Sequence, residues 1–160
     1  MKIYQTDIPY YEIQNIYKTC VSGRKTYYPD FDESKQRYNA VSSFLDRNEP
    51  LFKRFYDVIT KHDDSLKIER IQRAGVNLYL TNTKMYYHAD GPVITALLYV
   101  NPKVDIEEGG ETQFIVNDEI VSVCPKPGRL VIFDGSIRHT ATSFSTIPRI
   151  TLYCKFLKTQ

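Results

Sequence analysis

Two hydrophobic periodicities divide the chain. Up to His62 the apolar residues recur at helical spacing. Ile13, Ile16, Tyr17 and Cys20 fall at i, i+3, i+4 and i+7, and Gly23 follows as a stop signal. Tyr38, Val41, Phe44 and Leu45 repeat the pattern after Ser34. Leu51, Phe52, Phe55, Val58 and Ile59 form a third stripe behind Pro50, a residue suited to a first helical turn. Three helices are therefore predicted within residues 1–62. Between the first two lies GRKTYYPDFDESK, aromatic, charged and without a period. It reads as a surface loop, either a connector or a lid over a substrate.

From Leu66 onward the texture is that of strands. KIERIQRAG, VNLYLTN, MYYHAD, PVITALLYVN, ETQFIV, EIVSV, RLVIFD, IRHTATS and RITLYCKF are short runs rich in β-branched and aromatic residues. Turn pairs separate many of them: Gly91-Pro92, Asn101-Pro102, Gly109-Gly110, Asn117-Asp118 and Pro127-Gly128. Eight or nine such strands predict a mainly β fold, a sandwich or barrel rather than βαβ units. The helices are expected to cover one face of that core.

Composition narrows the class. A chain of 160 residues fits a single domain, 1–160, with a helical support region over 1–62 and a β core over 66–157. Its 21 basic and 19 acidic residues leave a net +2, too balanced to point to a membrane or nucleic-acid partner. No apolar run approaches the roughly 18 residues of a membrane span. The N-terminal MKIYQTDIPYYEIQ has no apolar core of a signal peptide. Cys20, Cys124 and Cys154 are odd in number and form no C-x-x-C pair. Reduced thiols in a cytoplasmic protein are expected, with Cys124 and Cys154 as small core residues.

The chemistry is concentrated in the β half. His88 and Asp90 form an H-x-D step, and on a strand i and i+2 point to one side. His139 follows a Pro-Gly turn and an apolar strand, and Arg149 stands ten residues beyond it. Two imidazoles and one carboxylate on one face of an ion leave sites open. That is the ligand set of non-haem Fe(II) oxygenases. Arg149 offers a planar, bidentate match to an anionic co-substrate. Alternation along the last strand puts Arg149, Thr151, Tyr153 and Lys155 on one face, lining a cavity. Ile150, Leu152, Cys154 and Phe156 go to the other, under the helices.

The ordered set His-x-Asp, GGET-x-F, P-x-x-G-R-L-x-x-F, then His and Arg ten apart, resembles the 2-oxoglutarate/Fe(II)-dependent dioxygenase superfamily. The texture is similar to that of prolyl 4-hydroxylase-like members, and the likeness runs from about Asn77 to Phe156. The resemblance implies a double-stranded β-helix (jelly-roll) core. It implies iron on His88, Asp90 and His139, with O2 as oxidant, 2-oxoglutarate as co-substrate and ascorbate as a candidate reductant. It places the distal carboxylate of 2-oxoglutarate on Arg149 and Tyr99, beside Leu97 and Thr95, with Thr112 walling the pocket and Tyr79 as a further candidate. The implied reaction decarboxylates 2-oxoglutarate to succinate and CO2 and hydroxylates a C–H bond.

Two departures bear on the substrate. Prolyl-hydroxylase-like enzymes often carry a Trp near the end of the arginine strand, whereas this chain has no Trp and places Lys155-Phe156 there. Specificity is expected from residues 22–37 and 76–87. The expected substrate is a prolyl or other residue of a peptide or protein. It is expected to bind over Tyr27, Tyr28 and Phe31, with an acidic group on Lys155. The alternatives are a dioxygenase of a small metabolite or nucleobase, a non-catalytic jelly-roll binding module, and a cupin-like protein with another metal. The cupin reading lacks its usual H-x-H. Oligomeric state is left open.

Overall fold

The computed structural model describes residues 1–22, 25–32, 37–83 and 85–158, with residues 30–32 and 37–40 described by backbone alone. Ten strands and two α-helices follow one another along the described chain. They are β1 (Lys2–Gln5), α1 (Tyr10–Val21), β2 (Tyr28–Asp32), β3 (Arg37–Phe44) and α2 (Pro50–His62). Then come β4 (Ile71–Tyr79), β5 (Val93–Tyr99), β6 (Thr112–Val116), β7 (Glu119–Val123), β8 (Arg129–Asp134), β9 (His139–Ala141) and β10 (Arg149–Leu157). A seven-stranded sheet runs β1-β8-β5-β10-β4-β3-β2. It faces a three-stranded sheet ordered β7-β6-β9. The arrangement is mainly β, a jelly roll with helices on one face.

The central strands of the large sheet are buried on both faces, apolar toward the helices and mixed apolar and polar toward the small sheet. Ile150, Leu152, Cys154 and Phe156 of β10 join Ala74, Val76, Leu98 and Ile132 in the core beneath the helices. The helices contribute Ile13, Ile16, Phe52, Phe55 and Ile59. Pro50 opens α2, where its missing N–H costs nothing. Arg54 donates two hydrogen bonds to the Glu12 carboxylate and ties α2 to α1. On the opposite face Leu97, Tyr99, Val131 and Phe133 pack against Phe114 and Val123 of the small sheet. The Asn117-Asp118 turn links β6 to β7 with φ of 51° and 62°, the left-handed pair of a two-residue hairpin.

Several expectations are corrected. Tyr38–Leu45 was expected to be helical, but Arg37–Phe44 is a strand, paired at Val41↔Leu78 through Phe44↔Gly75. Asn39, Val41, Ser42 and Ser43 are weak helix formers, and pairing on both edges of β3 satisfies the backbone. Alternation sends Ser43 into the core and leaves Phe44 60% exposed. Within the predicted loop, residues 28–32 form the edge strand β2. Residues 23–24 and 33–35 of that loop lie outside the described residues. KIERIQRAG and VNLYLTN are one strand, β4, running through Gly75. Residues 76–79, expected in a specificity loop, therefore belong to β4. MYYHAD makes only a single bridge at His88. Cys124 is half-buried just past β7 rather than in the core. No helix among the described residues is long and apolar enough to cross a membrane.

Candidate active site

His88 and His139 meet between the sheets. Their backbones exchange two hydrogen bonds, His88 N–H to His139 O at 2.9 Å and His139 N–H to His88 O at 2.8 Å. Asp90 N–H donates to Gly135 O at 2.7 Å, so the H-x-D step is pinned at both ends. Gly135 allows this approach, since a Cβ there would lie 3.0 Å from that of Asp90 and 2.7 Å from Val93 Cγ2.

Each imidazole is oriented by a carbonyl two residues back. His88 Nδ1 faces Tyr86 O at 3.1 Å and His139 Nδ1 faces Ile137 O at 2.8 Å. A carbonyl only accepts, so each Nδ1 carries the proton and each Nε2 presents a lone pair. His88 Nε2 lies 3.8 Å from Asp90 Oδ1, and His139 Nε2 lies 3.7 Å from Asp90 Oδ2. These separations exceed a hydrogen bond. The three donors lie within 4.8 Å of one another, as ligands converging on one ion do. His139 packs edge-on to Phe133 at 4.8 Å, and His88 is the open member, its side chain 43% exposed against 8% for His139.

Asp90 is held as an anion. Lys155 Nζ donates to Oδ1 at 2.6 Å and Thr95 Oγ1 donates to Oδ2 at 2.7 Å. Burial pushes its carboxyl upward, but Lys155, His139 and these two hydrogen bonds more than offset that, leaving it below the usual carboxylate range. Burial and the neighbouring His88 hold His139 below the ordinary imidazole value, which keeps Nε2 unprotonated.

Arg149 occupies the inner end of the same cavity, of about 280 Å3. Its guanidinium is fully buried, flanked by the rings of Tyr79 at 4.9 Å and Tyr99 at 5.1 Å. Nε donates to Gly110 O at 2.8 Å and Nη2 to Thr112 Oγ1 at 2.9 Å. Nη1 is buried without a partner, as are the hydroxyls of Thr140 and Thr151. A buried cation with an unused donor, in a cavity that the unpaired Thr140 also lines, fits an anionic, oxygen-rich ligand.

The sequence-predicted residues divide as follows. His88, Asp90, His139, Arg149, Leu97, Thr112, Tyr79 and Lys155 line the cavity together. Tyr99 stands behind it, its hydroxyl 2.6 Å from Thr112 Oγ1 and donating to Val123 O at 3.2 Å. Lys155, assigned to an acidic substrate group, has its ammonium on Asp90 instead. Tyr27, assigned to substrate, packs on the helix-covered core and donates to Cys20 O at 2.8 Å. It is on the wrong side of the large sheet, because that hydroxyl ties it to the end of α1. Tyr28 is opposite Ser42, a cavity residue, and so shares the cavity face. Phe31 lies on β2, and its side chain falls outside the described residues. Sequence reasoning missed Ser42, Arg73 and Thr140, which also line the cavity, and reached Asn77 only as part of residues 76–87. For β4 the signal was available: Arg73, Gly75, Asn77 and Tyr79 alternate onto one face.

Comparison with known proteins fits this geometry. Residues 54–156 match the family model of the 2OG-Fe(II) oxygenase superfamily, and the chain belongs to that superfamily. Its members need Fe(II), 2-oxoglutarate and O2. No curated protein sequence matches the chain. A prolyl-4-hydroxylase from Pseudomonas putida is similar in structure, with a TM-score of 0.79, 15% identity, and coverage of 99% of this chain and 92% of that one. A Trichoplax adhaerens prolyl hydroxylase, solved with a hypoxia inducible factor oxygen degradation domain peptide, has a TM-score of 0.77 at 15% identity, covering 98% and 82%. A non-heme alpha ketoglutarate dependent epimerase from nogalamycin biosynthesis has a TM-score of 0.68 at 14% identity, covering 96% and 74%. At these identities the likeness establishes the shared fold.

Proposed function

We propose that the chain is an Fe(II)- and 2-oxoglutarate-dependent hydroxylase of a prolyl or other residue in a peptide or protein. The observation that carries this reading is one cavity holding the His88, Asp90 and His139 donors together with the unpaired Nη1 of Arg149. His88 Nε2, Asp90 and His139 Nε2 would hold the iron, and Arg149 with Thr112 would receive the distal carboxylate of 2-oxoglutarate. When bound, iron with 2-oxoglutarate and O2 supplies the oxidant, yielding succinate, CO2 and one oxygen atom inserted into a substrate C–H bond.

The chain's own residues do the positioning. The two carbonyls fix the imidazole tautomers, Lys155 and Thr95 fix the carboxylate, and the two tyrosine rings fix the guanidinium. A peptide reading is supported by the shape of the approach. The inner face of β3 presents Ser42 to the cavity and continues to Phe44, 60% exposed, while Tyr28 on β2 is 57% exposed. The fold likeness to a prolyl hydroxylase solved with a peptide supports the same reading. A small-metabolite substrate is the competing reading, supported by the fold likeness to the epimerase. The test is succinate formation from 2-oxoglutarate by the iron-loaded protein, with mass spectrometry of a peptide library for a gain of one oxygen. Oxygen gain on peptides is the expected result, and oxidation of small metabolites alone contradicts it.

A further inference from the structure

The cavity carries more positive charge than its own chemistry uses. Arg73, Arg149 and Lys155 line it against a single carboxylate, Asp90. Lys155 is matched by Asp90. Arg149 faces the place of the distal carboxylate of the co-substrate. Arg73 is left over: among the described residues no carboxylate pairs with it.

Its backbone position and a ring contact nonetheless direct it. Arg73 stands directly opposite Lys155 across the β4–β10 pair, where like charges repel. One of the two is neutralised by Asp90, and the other is exposed toward solvent at the cavity wall. The next residue on the inner face of β4 is Gly75. A Cβ there would lie 2.7 Å from Tyr153 Oη, so the glycine lets the Tyr153 ring lean across β4. The Arg73 guanidinium sits over that ring, 5.7 Å from its centroid. A ring face orients a guanidinium without using up its N–H donors. Arg73 is thus a preoriented, unneutralised fork at the wall of the iron pocket, one strand from Lys155.

We infer that Arg73 docks a carboxylate of the substrate, so that the enzyme selects molecules with an acidic group near the oxidised carbon. This rests on the hydroxylase reading above and transfers to Arg73 the acid-binding role that Lys155, engaged by Asp90, does not fill. The acid can belong to an acidic side chain of a peptide or to a free metabolite, and the experiment separates the two.

The holoenzyme is given acetylated prolyl peptides carrying Glu at each position flanking the proline, each paired with its Gln isostere. A second panel holds free amino and dicarboxylic acids paired with their amides. Oxygen gain and kcat/KM are read for the wild type, Arg73→Gln and Arg73→Glu. The expected result is an acid-over-amide preference of about ten- to a hundredfold in the wild type, the range of a charged hydrogen bond. Arg73→Gln should erase that ratio, and Arg73→Glu should invert it, favouring the amide member of each pair. A general folding defect lowers both members of a pair and leaves the ratio intact. Turnover of peptides without an acid preference, or a preference that survives Arg73→Gln, overturns the inference and leaves the peptide reading standing. An acid preference confined to free metabolites and lost in Arg73→Gln upholds the inference and overturns the peptide reading. Oxidation of nothing in either panel overturns the inference.

Discussion

Lys155 Nζ donates to Asp90 Oδ1 at 2.6 Å, from the strand that also carries Arg149. One strand thus supplies both the cation that pairs with Asp90 and the cation that, in the proposed function, would receive the co-substrate. Asp90 and Lys155 are both buried, with side chains 6% and 10% exposed. Removing the ammonium leaves a buried carboxylate with Thr95 as its remaining side-chain donor. Lys155→Met keeps most of the bulk, so the loss is that of a buried pair, about 3 kcal/mol. For a protein of this size that corresponds to a fall in Tm of about 6–12 °C. Differential scanning calorimetry of the metal-free protein measures it. Saturating Mn(II) should recover much of the loss, because the ion supplies the positive charge that Lys155 no longer does. An equal fall with and without Mn(II) contradicts this account of Lys155.

Arg149→Ala should weaken 2-oxoglutarate binding by about ten- to a hundredfold while Mn(II) affinity is retained, since the guanidinium makes no contact with His88, Asp90 or His139. Tyr99→Phe should cost less. The Tyr99 hydroxyl meets Thr112 and Val123 O rather than the cavity, so its effect passes through Thr112. Anaerobic calorimetric titration of the Mn(II) protein with 2-oxoglutarate measures both. Equal losses in the two variants contradict this division of labour.

Gly75→Ala should destabilise the protein although alanine is small. Its Cβ would lie 2.5 Å from the Ser43 carbonyl oxygen and 2.7 Å from Tyr153 Oη. The first is backbone of the neighbouring strand and cannot swing away. Overpacking of this kind costs about 1–3 kcal/mol. A thermal melt matching the wild type contradicts the close approach of β3 and β4 at this point.

Thiol reactivity should separate the three cysteines. Burial pushes the Cys20 and Cys154 thiols up to about 12. At pH 8 both thiols are therefore overwhelmingly protonated, and they resist alkylation. Cys124 is half-buried and should react alone. Mass spectrometry after iodoacetamide treatment of the native protein should find the label at Cys124, and at all three positions after denaturation. Native labelling of Cys154 contradicts its place in the core beneath the helices.

The β half was legible because its strands are short, its turns are marked by Gly, Pro and Asn-Asp, and its site residues keep fixed spacings. Alternation along β10 placed Arg149 and Lys155 inward and Cys154 outward without reference to tertiary structure. The N-terminal part was less legible. Tyr38, Val41, Phe44 and Leu45 mimic a helical stripe, but β3 owes its form to pairing with β2 and β4, and no local pattern encodes that. The same limit hid Arg73. With the chain divided at Gly75, the alternation of Arg73, Gly75, Asn77 and Tyr79 onto one face was lost. The Lys155–Asp90 pair was invisible for a different reason: it joins residues 65 apart in sequence.

The most direct test of the central claim is the visible spectrum of the anaerobic protein with Fe(II), before and after addition of 2-oxoglutarate. Chelation of 2-oxoglutarate by an iron held on His88, Asp90 and His139 should produce a weak metal-to-ligand charge-transfer band in the wild type. His139→Ala and Asp90→Ala should lose the band at the same concentrations, and Arg149→Ala should need more 2-oxoglutarate to reach it. A wild-type protein that binds Fe(II) but develops no band at saturating 2-oxoglutarate, or an undiminished band in His139→Ala, contradicts the account.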